Sequence, residues 1–178
     1  VSLENTAQQH FVSNRTVQRK LKEIMDILEN YNISLNLKRK PLFVGEEYRI
    51  RHFFHIMHWQ IFDGSNVRYF GLTQKSITGF KERLAMYQSC YRGIDQEKFI
   101  QLLALSLYRL KRGFALKEIP PGMTETCHLT IPFEQFKKEL IMPLLRDNYL
   151  LNETSENEYI FLYYMFSVMT TYLPEEIP

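Results

Sequence analysis

Arg15, Arg19 and Lys22 recur at steps of three and four residues, with Asn14 and Gln18 beside them. Put Val17 at 0° on a helical wheel and step about 100° per residue. Leu21, Ile24 and Leu28 then fall within about 40° of Val17, while Arg15, Arg19 and Lys22 fall within about 40° of the opposite pole. Gln18 sits on the flank. A helix about 12 Å wide fits the DNA major groove, and side chains on its exposed first turns reach base edges or phosphates. The helix N-terminus itself favours a phosphate. A second basic cluster follows at Lys38, Arg39 and Lys40, suited to a neighbouring stretch of DNA backbone. The blander alternative is an amphipathic helix with a solvated basic face, followed by a charged hairpin.

Two further groups invite chemistry and carry less. His52, His55 and His58 recur every three residues, but that spacing fans them over about 120° of a helix. No Cys or carboxylate is spaced to complete a metal site, so packing and polar contacts are the expectation. Cys127 and His128 are adjacent, and adjacent side chains rarely point at each other, so a nucleophile-base pair is not expected. No phosphate-cradling glycine loop is found. The expectation is a protein that is not an enzyme, with no metal and no cofactor.

The elements that must position the basic clusters can be read locally. Ser2 opens a short helix to about Gln9 or His10, and Phe11-Val12-Ser13 breaks it. Ser13 is a good N-cap for a longer helix to about Tyr31. Asn32 to Leu37 alternates as a strand, and Leu42-Phe43-Val44 returns across the Lys38-Arg39-Lys40-Pro41 tip. Glu46 to Phe62 reads as a helix that is apolar nearly all round, a connector expected to be buried between two domains. Asp63-Gly64-Ser65-Asn66 is a cluster of turn formers. The remainder predicts helices at 73–89, 95–112, 132–147 and 155–172. Asp95 caps the second, and Ser155 with Glu158 forms a capping box on the last.

The order helix, short turn, basic helix and basic-tipped hairpin is that of a winged helix-turn-helix. The fold class expected is mainly α: a winged helix-turn-helix with a small β-hairpin wing, then an all-α bundle. The predicted domains are 1–64, with the connector helix at 46–62, and 65–178. Composition agrees. The 178 residues are 45% apolar and 24% charged, enough to bury a core. Net charge is +2 overall. Residues 1–45 hold seven Lys/Arg against four Asp/Glu, or +3, which points to an anionic partner at that end. Two cysteines, Cys90 and Cys127, make no disulfide framework and fit a reducing cytoplasm. No apolar run approaches the roughly 18 residues of a membrane span.

The stretch FVSNRTVQRKLKEIMDILENYNISLNLKRKPLFVGEEYRIRHFFHIMHWQIF resembles the second helix-turn-helix of the Mga/AtxA-like family of transcriptional regulators. The landmarks are Val12-Ser13, Thr16, Arg19 and Leu21, then Gly45, Glu47 and Ile50-Arg51. The sequence departs from the pattern at Thr6 and His10, where the family carries Leu. The resemblance implies a virulence-type transcription regulator that binds double-stranded DNA through Asn14, Arg15, Gln18, Arg19, Lys22, Lys38, Arg39 and Lys40. It also implies a central fragment of a cytoplasmic protein of roughly 500 residues, homo-oligomeric when whole, and lacking here the first helix of the DNA-binding core.

Residues 73–178 are similar in length and helix pattern to a phosphotransferase-system (PTS) regulation domain, or PRD, and RLKRGF resembles its second-helix signature. Such domains imply PTS phosphocarrier proteins as partners and phosphorylation on histidine. Aligned by those signatures, the two acceptor positions fall on Leu102 and near Tyr163, and neither residue can take that role. His128 is the one histidine of the segment and the expected acceptor if there is one. The alternative function is a signal-receiving or oligomerisation module whose helix-turn-helix does not itself contact DNA.

Overall fold

The computed structural model describes residues 3–38, 40–62, 70–87, 96–123 and 131–169. The turn at 63–66, the Asp95 cap, Arg39, Cys90, Cys127 and His128 lie outside those residues. The chain divides into two compact units, Val1–Phe53 and Phe54–Pro178. The division falls inside the third helix, where the sequence pattern suggested a boundary after it.

In the first unit, α1 spans Leu3–Gln9 and α2 spans Asn14–Glu29. Ser13 caps α2: its backbone is extended and its hydroxyl accepts from the Thr16 N–H at 3.1 Å. That bond satisfies one of the orphan donors of the first turn, a contribution of about 1 kcal/mol. Strands β1 (Ser34–Leu35) and β2 (Phe43–Val44) pair antiparallel, Ser34 opposite Val44 and Leu35 opposite Phe43. The ladder is shorter than the alternation at 32–37 predicts. Asn32 is drawn out of it as the left-handed residue that ends α2, with the Ile33 N–H reaching the Leu28 carbonyl at 3.0 Å. This is a Schellman cap, a motif that favours Gly or Asn.

Helix α3 spans Glu47–Phe62. Ala7, Val17, Leu28, Ile33, Ile50 and Phe53 form the core of the first unit, with Tyr31 edge-on to Phe53 at 5.2 Å. Leu21 is half-buried. Ile24, expected at the centre of the buried stripe, is 44% exposed, and Met25 and Ile27 on its flanks are exposed as well. Periodicity gave the face correctly, but the neighbours of α2 cover only its ends at Val17 and Leu28. Nor is α3 hidden all round, since Ile61 is 63% exposed.

The second unit is helical: α4 (Gln74–Ala85), α5 (Gln96–Lys111), α6 (Phe133–Gln135), α7 (Met142–Asp147) and α8 (Glu156–Met169). A π-helical turn, Phe136–Ile141, joins α6 to α7. Its wide register shows in the Met142 N–H bonding the Lys137 carbonyl, five residues back. Pro143, next in the chain, has no N–H and its ring would crowd the carbonyl four residues earlier, so the turn before it opens. Thr73 caps α4 as Ser13 caps α2, accepting from the Ser76 N–H at 3.1 Å. Phenylalanines packed edge-on or tilted fill the core. Phe99 meets Phe166 at 4.9 Å, and Phe136 meets Phe166 at 5.2 Å.

The predicted capping box on α8 is put to a different use. Glu158 accepts from the Leu116 N–H at 2.8 Å and the Ser155 hydroxyl donates to the Leu116 carbonyl. The two side chains pin the connection before α6 to the start of α8. Among the described residues no helix is long and apolar enough to cross a membrane.

Candidate nucleic-acid interface

The turn between α1 and α2 sets the direction of the basic helix. Phe11 ends α1 in the left-handed region at φ 53°. The Val12 N–H bonds the Ala7 carbonyl at 3.0 Å and the Phe11 N–H bonds the Gln8 carbonyl at 3.3 Å. Those two bonds define a Schellman motif, and the buried Ala7 is small enough to let the two helices approach. The extended Ser13 then restarts the chain as α2. A helix-turn-helix turn often carries Gly at its left-handed position; this one carries a phenylalanine that is 97% exposed.

With α2 held this way, Arg15, Gln18, Arg19 and Lys22 are exposed, as the wheel predicts, and so is Asn14. Ser13, Arg15, Thr16, Gln18, Arg19 and Lys22 line one shallow depression along the helix. It carries three cations and no carboxylate. Lys20 belongs elsewhere: it pairs with Glu23 at 2.7 Å, and that hydrogen bond holds the Glu23 carboxyl below its ordinary range. The remaining cations of α2 lie on the Arg15–Arg19–Lys22 side. Its geometry suits phosphates and the guanine edge, which take the Arg fork in two parallel bonds.

The wing adds to it. Lys38 and Lys40 are exposed at the hairpin tip. The Asn36 side-chain oxygen accepts from the Lys38 N–H at 3.2 Å and shapes the tip. Arg39 lies outside the described residues.

The base of the wing explains three of the landmarks. A Cβ on Gly45 would stand 2.9 Å from the Asn32 carbonyl oxygen, so only glycine lets β2 leave so close to the end of α2. Arg51 is wholly buried and pairs with Glu47 at 3.0 Å. Ile50 beside it is 2% exposed. Gly-x-Glu…Ile-Arg is thus a close backbone approach, an ion pair and a core residue that together seat α3.

The histidines divide. His52 is half-buried, and burial holds its imidazole below the ordinary range. His55 is buried, and His58 packs its ring 6.0 Å from Phe70. No group of three metal-ligating side chains converges among the described residues. The phosphoacceptor positions inferred from the resemblance are core. Leu102 is wholly buried, and the buried Tyr163 donates from its hydroxyl to the Ile131 carbonyl at 2.7 Å. RLKRGF closes α5: Gly113 is left-handed at φ 81° and the Arg109 guanidinium lies 4.1 Å from the Phe114 ring centre. Of the exposed residues around the interface, sequence reasoning passed over Phe11. An apolar residue is expected inside, and nothing local marks this one as left-handed.

A capped basic helix set by a short turn and followed by a basic-tipped hairpin defines a helix-turn-helix DNA-binding domain with a wing. Residues 1–57 match the family described as Mga helix-turn-helix domain, a family of DNA-binding regulators. The match covers the whole of the first unit and the start of the second. A comparison with curated proteins gives no significant match.

Proposed function

We propose that this chain is part of a cytoplasmic, non-enzymatic transcription regulator of the Mga type, in which a winged helix-turn-helix is coupled to a PRD-like sensory unit. The observation that carries the reading is the single-signed depression on α2, opposite the buried Val17 and Leu28. Arg15, Arg19 and Lys22 supply charge to a duplex, Asn14 and Gln18 supply hydrogen bonds, and the wing lysines hold the backbone beside them. The second unit supports the coupling by its helical build and by the RLKRGF cap on α5. If a PTS phosphocarrier acts on it through histidine, His128 is the acceptor, and control otherwise runs through contacts with a partner or a second copy.

A gel shift at low ionic strength tests the core of this. Reversing charge at Arg15 and Arg19 together, both to Glu, abolishes retardation of duplex DNA if α2 enters the groove. Retardation that survives the double reversal assigns this helix-turn-helix to protein contacts. The exposed Ile24, Met25 and Ile27 favour that second reading for their own side of α2.

A further inference from the structure

Phe11 is 97% exposed and Val12 beside it 41%. Strain does not single Phe11 out: Tyr149 ends α7 in the same left-handed conformation and is 92% exposed. Position does. Phe11 stands two residues before Ser13, so its Cα lies within about 7 Å of the Ser13 Cα, and a phenyl ring carries the reach several ångströms further. Phe11 also shares a depression with Asn14, the first residue of the helix proposed to enter the groove.

The surroundings narrow the occupant. On one side of the turn lies the cationic depression of α2. On the other lies a second depression, lined by Glu4, Ala7, Gln8, Phe11, Val12 and Asn14. Phe11 and Val12 thus stand between the cationic side of α2 and a depression that holds one carboxylate, Glu4. For the duplex that the α2 cations suit, the apolar feature in the major groove is the C5 methyl group of thymine.

We propose that Phe11 is a specificity residue that takes a thymine methyl at the edge of the site read by α2. The inference rests on the DNA reading given above.

The test compares the 178-residue chain with Phe11→Gly and Phe11→Asn on an array of duplexes covering all short sequences at low salt. Both variants suit the left-handed backbone, so circular dichroism should show an intact fold. On the best duplex each thymine is then replaced by deoxyuridine, which removes only the methyl group. At one position the wild-type chain should lose about three- to fivefold in affinity, the worth of one buried methyl, and the variants should lose nothing. Equal sensitivity of wild type and variants at every thymine overturns the proposal and leaves Phe11 to a protein partner. Absence of sequence-dependent binding by the wild-type chain overturns the reading of α2 as a base-reading helix, and this proposal with it.

Discussion

Salt dependence offers the sharpest measure of the interface, because each cation seated on a phosphate adds a fixed step to it. Arg15, Arg19, Lys22, Lys38 and Lys40 are the exposed cations of the recognition helix and wing tip among the described residues, while Lys20 is held by Glu23. Each cation that displaces a counterion from duplex DNA adds about 0.9 to the slope of log affinity against log salt. With all five on phosphate the slope is about −4.5; with Arg15 and Arg19 on base edges it is about −2.7. Raising salt from 50 to 200 mM should therefore weaken binding by about 40- to 500-fold. Fluorescence anisotropy on a labelled duplex measures it directly. Replacing Lys38 and Lys40 with Ala should flatten the slope by about two and lower affinity for all sequences alike. A slope shallower than about −1, or one that the wing variant leaves unchanged, refutes the assignment of these cations to the DNA backbone.

Three more expectations concern what holds the interface in place. Glu47→Ala removes the carboxylate that the buried Arg51 guanidinium meets at 3.0 Å and should cost about 1.5–3 kcal/mol, read as accelerated hydrogen exchange at the start of α3. Gly45→Ala forces a Cβ against the Asn32 carbonyl and should cost about 1–3 kcal/mol in urea unfolding, with DNA binding falling in step as the wing shifts. Burial lowers the His52 pKa below its unfolded value near 6.5, so the unfolded chain binds the proton more readily. His52's share of stability should be complete above about pH 6.5 and fall as pH drops toward the lowered folded pKa. Thermal unfolding of His52→Gln should be less acid-sensitive than that of the wild type.

The parts of this fold legible in the sequence are those set by local chemistry. Ser13 announces itself as a cap because a small polar side chain before an apolar periodicity has one common use. The exposed positions of Arg15, Arg19 and Lys22 follow from the same wheel that buries Val17 and Leu28. What escaped was set by neighbours. Ile24 shares its stripe with Val17, yet the length of the elements packed on α2 decides which part of the stripe is covered. Ser155 and Glu158 have the spacing of a capping box, but a distant segment, Leu116, supplies partners for both. Phe11 was readable as a break in α1. Its left-handed, exposed state depends on the two backbone bonds that close the turn, and those belong to the α1–α2 pair.

The core positions of the helical unit bear on how a signal enters it. The resemblance aligns phosphoacceptors with Leu102 and Tyr163, and here both are packing residues. Leu102 is wholly buried on α5. Tyr163 stands 5.3 Å from Phe133 and 5.2 Å from Phe136 between ring centres, and its hydroxyl is bonded to the Ile131 carbonyl. A phosphoryl group brings about 1.5 to 2 negative charges near pH 7, and such a charge cannot be desolvated at a site of this kind without opening it. Leu102→His is the direct trial. If position 102 is core and nothing more, the imidazole is buried in an apolar setting and the unit loses about 2–4 kcal/mol in urea unfolding. Phosphoenolpyruvate with the general phosphotransferase proteins should then label the variant no more than the wild type. A stable Leu102→His chain that gains a stoichiometric acid-labile phosphate would instead mean that the second unit retains a working phosphoacceptor pocket, and control by contact alone would have to be given up.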